Sequence, residues 1–201
     1  GSEAADALTT GIQNIAIGVN ALGQETSGTY NVALGREALK TQNGGTYNIG
    51  IGRTAGMLIT TGVNNVIVGG NAADALTTGD ANVALGKDAL GADTEGNKSI
   101  AIGLGALQTQ NFTTDTDTFN VAVGHGVGAS ITTGFINTLI GGESGDALTD
   151  GSANVAVGYN ALSSDSRGSR TIAIGRDALK TQNFSSTQTN TFNIAIGDKA
   201  G

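Results

Sequence analysis

A five-residue stretch, Asn14-Ile15-Ala16-Ile17-Gly18, returns along the chain at a fixed interval and constrains every other reading of it. It recurs as Asn31-Val32-Ala33-Leu34-Gly35 and starts again at Asn48, Asn65, Asn82 and Ser99, each start 17 residues after the last. The rhythm resumes at Asn120, Asn137, Asn154 and Thr171 and closes at Asn193, after gaps of 21 residues from Ser99 and 22 from Thr171. Eleven copies of one short unit in 201 residues are the signature of a solenoid, in which each turn packs on its neighbours.

Each copy is numbered here from its Asn as position zero. Positions +1 and +3 are Val, Ile or Leu in every copy except at Thr138. This alternation of branched apolar residues predicts a short strand whose +1 and +3 side chains face the interior. Position +4 is Gly in all eleven copies, and a second Gly stands at +14 in every 17-residue coil, from Gly28 to Gly168. A Gly fixed at one position marks a positive φ or a place with no room for a Cβ. Two such corners with an apolar anchor between them predict a flattened coil of two strands, and they leave no 3.6-residue stripe for a helix. Position +2 is Ala or Gly in nine of eleven copies, where a solvated strand face would carry Thr, Lys or Glu. That small face points to close approach by another surface, several coils packed around an axis; the alternative is a lone solenoid whose small residues accommodate its bend. Asn at position zero, present in nine copies, predicts a hydrogen-bonded ladder along the axis.

A longer period overlies the short one. The second anchor is Leu at +8 in two consecutive coils, as in Leu22 and Leu39, then moves to +11 in the next two, as in Ile59 and Leu76. The latter coils carry Gly or Ala at +8 (Gly56, Ala73), and the bulky exceptions at +2, Ile67 and Leu139, fall in the fourth coil. The unit is therefore a module of four coils. Eleven coils at about 4.8 Å each predict a rod roughly 50 Å long.

Both extra segments fall in the second coil of a module, as loops near residues 111–119 and 183–192. They carry Phe112, Asp115, Asp117 and Phe119 in the first, and Phe184, Gln188, Asn190 and Phe192 in the second. Insertions of this kind gather on one side of a solenoid and often bind, so these eight residues are the candidate receptor contacts. Phe119 and Phe192 take the place of Tyr47 in the uninserted coil, which also fits a corner plug. Phe112 and Phe184 have no counterpart there and fit either a staple inside the loop or an exposed aromatic contact.

Other classes of function find little support. A net charge of −7 argues against nucleic acid, which needs a basic stripe to meet phosphates. No apolar run approaches the roughly 20 residues of a membrane span. The chain has no Cys, so no thiolate chemistry, and no cofactor or metal set is expected. Asp115 and Asp117 fall short of a calcium loop's ligands, and His125, the single histidine, has no evident catalytic partner. Thr-Thr-Gly stretches at Thr60, Thr77 and Thr132 occur in too few coils for a continuous ice-binding array. Gly1-Ser2 reads as a cloning scar, leaving 3–201 as one segment of something longer.

The pattern N-[IV]-A-[IV]-G, followed by x-x-A-L or x-x-A-G and by T-T-G-x-x-N before the next copy, resembles repeats of bacteriophage tail-fibre-like proteins and related bacterial surface fibres. It is also similar to the S-V-A-I-G head repeats of trimeric autotransporter adhesins, whose unit is typically shorter. The resemblance covers nearly the whole chain. It implies a homotrimer of parallel β-rolls, extracellular on a cell surface or virion, that holds or contacts a receptor such as a glycan or envelope surface. Two alternatives stand beside it: a spacer whose fibre binds elsewhere, and a glycan-cleaving tailspike, which would need paired carboxylates in a groove. The scattered acidic residues favour a non-enzymatic role.

Overall fold

The computed structural model describes residues 1–201 and is all-β, with no helix long and apolar enough to cross a membrane. In chain order the strands are β1 (Ile15–Ile17), β2 (Val32–Leu34), β3 (Ile49–Ile51), β4 (Val66–Val68), β5 (Val83–Leu85), β6 (Gly96–Asn97), β7 (Ile100–Ile102) and β8 (Thr116–Asp117). They continue as β9 (Val121–Val123), β10 (Thr138–Ile140), β11 (Val155–Val157), β12 (Gly168–Ser169), β13 (Ile172–Ile174), β14 (Thr189–Asn190) and β15 (Ile194–Ile196). Eleven of them form one parallel sheet in sequence order, each paired in register with the equivalent strand of the next coil. The chain is a parallel β-solenoid, as the repeat predicts.

The second wall is not a strand. Only 22 of the 115 backbone hydrogen bonds lie within strands; the others flank the strands, close single turns or join a turn to the next coil, as where the Leu39 N–H donates to Ala55 O at 3.0 Å. The expected two-strand coil is thus a strand facing a stack of turns. Four backbone positions per coil have positive φ: the Gly at +4, the residues at +6 and +8, and the residue before each Asn. Twenty-nine of these are not Gly, among them Leu39 (φ 48) and Tyr47 (φ 59). At Gly35 both reasons for glycine act, since φ is +137 and an added Cβ would lie 2.7 Å from the Gly52 carbonyl carbon. At Gly45 only proximity acts, with the Gly62 carbonyl oxygen 2.8 Å from the same imagined atom.

The sheet is turned over relative to the sequence expectation. The small +2 residues point inward: Ala33, Ala84, Ala101, Ala122 and Ala156 are fully buried, while +1 and +3 face outward and are half-buried or exposed. Period-two alternation defines two faces without saying which is interior, and a one-residue reassignment exchanges them. Core thickness decides the matter. Leucines at +8 reach across from the turn wall, and even Gly50 has no space for a Cβ, which would meet Leu39 Cγ at 2.7 Å. The core is one continuous cluster of 27 buried residues running the length of the rod.

The module follows from the same volume. Where +8 is Gly56, a Cβ would come within 3.0 Å of Ile59 Cδ1 and Ile67 Cδ1. Ile59 at +11 and Ile67 at +2 fill the space that Leu supplies in the other coils, and Ile131 and Leu139 do so around Gly128. The interior stays close-packed while its contributors change.

Candidate functional site

The inserted loops are fixed from beneath by a buried polar relay. In the coil before each second coil, position +11 is an acid: Glu25, Asp93 or Asp165, each fully buried. Asp93 Oδ1 accepts the N–H of Gly96 at 3.1 Å and of Phe112 at 3.0 Å, which pins the start of the first loop. Asp165 Oδ1 does the same for Gly168 at 2.9 Å and Phe184 at 3.0 Å, at the second. Glu25, beneath the uninserted coil, accepts Gly44 N–H at 2.8 Å instead. The other carboxylate oxygen takes the side-chain amide of Gln42, Gln110 or Gln182. The oxygen of that glutamine then accepts the side chain of Asn48 at 3.0 Å, Asn120 at 2.8 Å or Asn193 at 2.7 Å.

A buried carboxylate is tolerable here because N–H groups replace its water. The balance differs between equivalent sites. Burial pushes the Glu25 carboxyl up, yet hydrogen bonds from Gly44, Gln42, Gly28 and Ser27 outweigh it and hold the group below its ordinary range. At the shorter Asp93, burial prevails over the bonds from Phe112, Gln110 and Gly96 and raises the group above its ordinary range. The relay is absent from the sequence expectations. Its available signal was an acid at +11 followed 17 residues later by Gln, at Glu25-Gln42, Asp93-Gln110 and Asp165-Gln182.

A second signal marks the inserted coils. Asn at position zero normally donates to the carbonyl of its own +14 Gly, as Asn48 does to Gly62 at 2.7 Å. A coil with an insertion lacks that partner, and there position zero is Ser99 or Thr171. Their hydroxyls bond instead to Thr118 and Thr191 at the far end of each loop.

Above this base the loops are ordered. β8 pairs in parallel with β6 (Gly96↔Thr116, Asn97↔Asp117), and β14 with β12 (Gly168↔Thr189, Ser169↔Asn190). Phe112 is only 8 % exposed and acts as a staple inside the loop, not as a surface aromatic. Phe184 is half-buried at the matching position. Phe119 and Phe192 are exposed, at 51 % and 64 %, and therefore do not plug the corner. Asp115 and Asp117 do not converge on a shared centre: Asp115 accepts the Asn97 amide, and Asp117 pairs with Lys98, whose ammonium lies 5.3 Å from the Phe119 ring centre. The two loops are four strands apart in the sheet, about 19 Å at the usual spacing.

The second loop reaches further than the first. Gln188 Nε2 donates to Asp150 O at 2.8 Å, so the exposed loop folds back along the rod. Beneath it lies a groove of about 340 Å³ lined by Phe135, Ile136, Ser152, Arg170, Gln188 and Asn190. Of the eight expected contacts, only Gln188 and Asn190 meet at this groove. Arg170 also lies 5.6 Å from the Phe192 ring.

The largest unusual surface lies outside the loops. The +1 and +3 side chains form an apolar stripe two residues wide along the sheet, interrupted only at Thr138, from Ile15 and Ile17 at one end to Ile194 and Ile196 at the other. End-strand members are 51 % to 68 % exposed; the inner ones are shielded only by neighbours above and below. Counting three residues of strand over eleven levels, the stripe has a flat footprint of roughly 500 Å², beyond what scattered surface residues produce. No family model, no curated protein and no solved structure matches the chain.

Proposed function

We propose that this chain is a structural and adhesive segment of a trimeric fibre displayed on a cell surface or a virion. The observation that carries the reading is the outward stripe of Val, Ile and Leu, broken only by Thr138, which a lone rod would leave in water. Three rods turned inward would bury it along a common axis as a small dry core. The small +2 residues, which the sequence alone offers as a contact face, are used up inside each rod, and the outward +1 and +3 side chains support assembly instead. The ladder of buried Asn and the close-packed interior suit a load-carrying rod whose length scales with coil number.

The groove beneath the second loop supports receptor contact. Phe135 and Ile136 offer apolar faces, while Gln188, Asn190 and Arg170 offer amide and guanidinium groups, a combination that suits a glycan. A spacer without binding is the second reading, favoured by the first loop, whose Phe112 and Asp117 are already engaged within the chain. The loop carboxylates, tied to Asn97 and Lys98 and not to each other, support a non-enzymatic reading of that role.

Absolute mass by light scattering tests the assembly. A species near three times 19.9 kDa is expected, and a monomer would remove the basis of the fibre reading. Binding to immobilised envelope polysaccharides tests adhesion: Gln188→Ala with Asn190→Ala should abolish it, and no binding by the parent chain would leave a spacer.

A further inference from the structure

The apolar stripe has two edges. The leading edge is the residue before each Asn, held in the left-handed conformation; the trailing edge is position +5, just past the corner Gly. Tyr30 and Tyr47 occupy adjacent levels of the leading edge with rings 4.8 Å apart and 3° from parallel. They are 44 % and 56 % exposed, large for tyrosines stacked on one another. Arg36 and Arg53 occupy the trailing edge of the same two levels. Arg36 is 59 % exposed, with one weak pairing to Glu37 at 3.5 Å, and Arg53 has no carboxylate partner.

We infer that copies of this chain close around their axis leading edge to trailing edge at equal height, so that Tyr30 and Tyr47 of one copy lie against Arg36 and Arg53 of the next. The inference rests on the trimeric reading above and specifies its interface. When identical rods are related by rotation about an axis parallel to their length, with stripes inward, the leading edge of each must face the trailing edge of its neighbour. Such a rotation also keeps equivalent coils at equal height, and the residues on the two edges suit that register. A guanidinium over a tyrosine face is a favourable pairing, and more so once water is excluded.

Size points to the same height. Ile136 on the leading edge shares its level with Gly142 on the trailing edge, and Ala153 shares its level with Tyr159, which is 54 % exposed. Within one rod the Tyr159 ring lies beside Gly142, 3.6 Å from where a Cβ would stand, so the larger ring of that edge sits at the level where the leading edge carries the small Ala153. The chain uses the same cation-on-ring chemistry along its leading edge, at Lys98 over Phe119 and Arg170 over Phe192. One level sets like charges together, Arg170 and Arg176. There Arg176 is held by both oxygens of Asp198 at 2.8 and 2.9 Å, and Arg170 is engaged with its ring. Edge to edge, about 20 Å by about 50 Å, the face offers on the order of 1,000 Å² per copy to its two neighbours together, more than a lone monomer ordinarily leaves as one patch.

The absence of native cysteine makes the test direct. Tyr47→Cys with Arg53→Cys, treated with a short bismaleimide, should give covalent species up to three chains on a denaturing gel. Each single variant should give none. Tyr47→Cys with Leu104→Cys, offset by three coils or about 14 Å, should cross-link at least tenfold less. A trimer by mass whose matched pair fails to cross-link, or whose offset pair cross-links equally, overturns the edge assignment and leaves the fibre reading intact. A parent chain of monomer mass overturns both. Should the matched pair disturb assembly before cross-linking, Phe119→Cys with His125→Cys asks the same question at another level.

Discussion

Asn65 and Asn82 are joined through one atom: the Asn65 side-chain oxygen accepts the backbone N–H of Asn82 at 2.9 Å. The Asn65 amide nitrogen meanwhile donates to the Gly79 carbonyl, also at 2.9 Å, closing its own coil. One side chain therefore seals one turn and caps the next. Asn65→Ala leaves a buried N–H and a buried carbonyl without partners and should cost about 2–4 kcal/mol. Asn193→Ala, at an exposed end, should cost about 1 kcal/mol or less. Guanidinium unfolding followed by circular dichroism compares them, and equal losses would refute the capping role.

The glycines divide into tolerant and intolerant positions. Gly35→Ala meets both a φ of +137 and the Gly52 backbone, and should lower stability by about 3 kcal/mol or more. Gly70→Ala meets nothing within 4 Å and should lie within about 0.5 kcal/mol of the parent. Thermal unfolding of the two variants side by side decides.

Two equivalent acids should respond to pH with opposite sign. Glu25 titrates below its ordinary 4.5 when folded, so its carboxylate contributes stability that is present above pH 4.5 and lost as pH falls through the lowered value. The stability gap between the parent and Glu25→Gln should shrink on acidification. Asp93 titrates above its ordinary 3.8, so its contribution is complete below that pH and is lost as pH rises through the raised value. The gap between the parent and Asp93→Asn should therefore widen on acidification. Urea midpoints from pH 3 to pH 7 measure both, and parallel trends would contradict the account.

The outward stripe gives a prediction on assembly. Val83→Lys with Ile100→Lys places two charges on side chains that leave the rod, so the solenoid should persist while the oligomer dissociates. Circular dichroism should be retained and the mass should fall towards 19.9 kDa. Loss of the fold itself would show that these residues serve the interior.

Much of this structure was legible because each position in the coil accepts few residue types. Period, strand positions, corners, module and loop sites all follow from Asn at zero, Gly at +4 and the exchange of Leu39 for Ile59. Which face was interior did not follow, because Val32-Ala33-Leu34 alternates identically whichever side is buried; the reach of Leu39 across the core decides it. The relay escaped because Glu25, Asp93 and Asp165 sit in a turn, where no periodicity flags an acid as buried. Phe112 took the inner of the two places open to it, while Phe119 left the corner it was expected to plug; the loop that carries them pairs with the preceding coil through Thr116 and Asp117.

Leu22, Leu39, Leu90 and Leu162 hold their backbones in a region that L-residues with branched side chains avoid, at about 1 kcal/mol or more apiece. No coil cut free of its neighbours would keep that shape, since its turns are fixed by carbonyls of the next layer. The rod is in this sense a one-dimensional crystal: each finished layer is the mould for the one after it. Adding a module asks for no new shape, only for another surface on which to cast the old one.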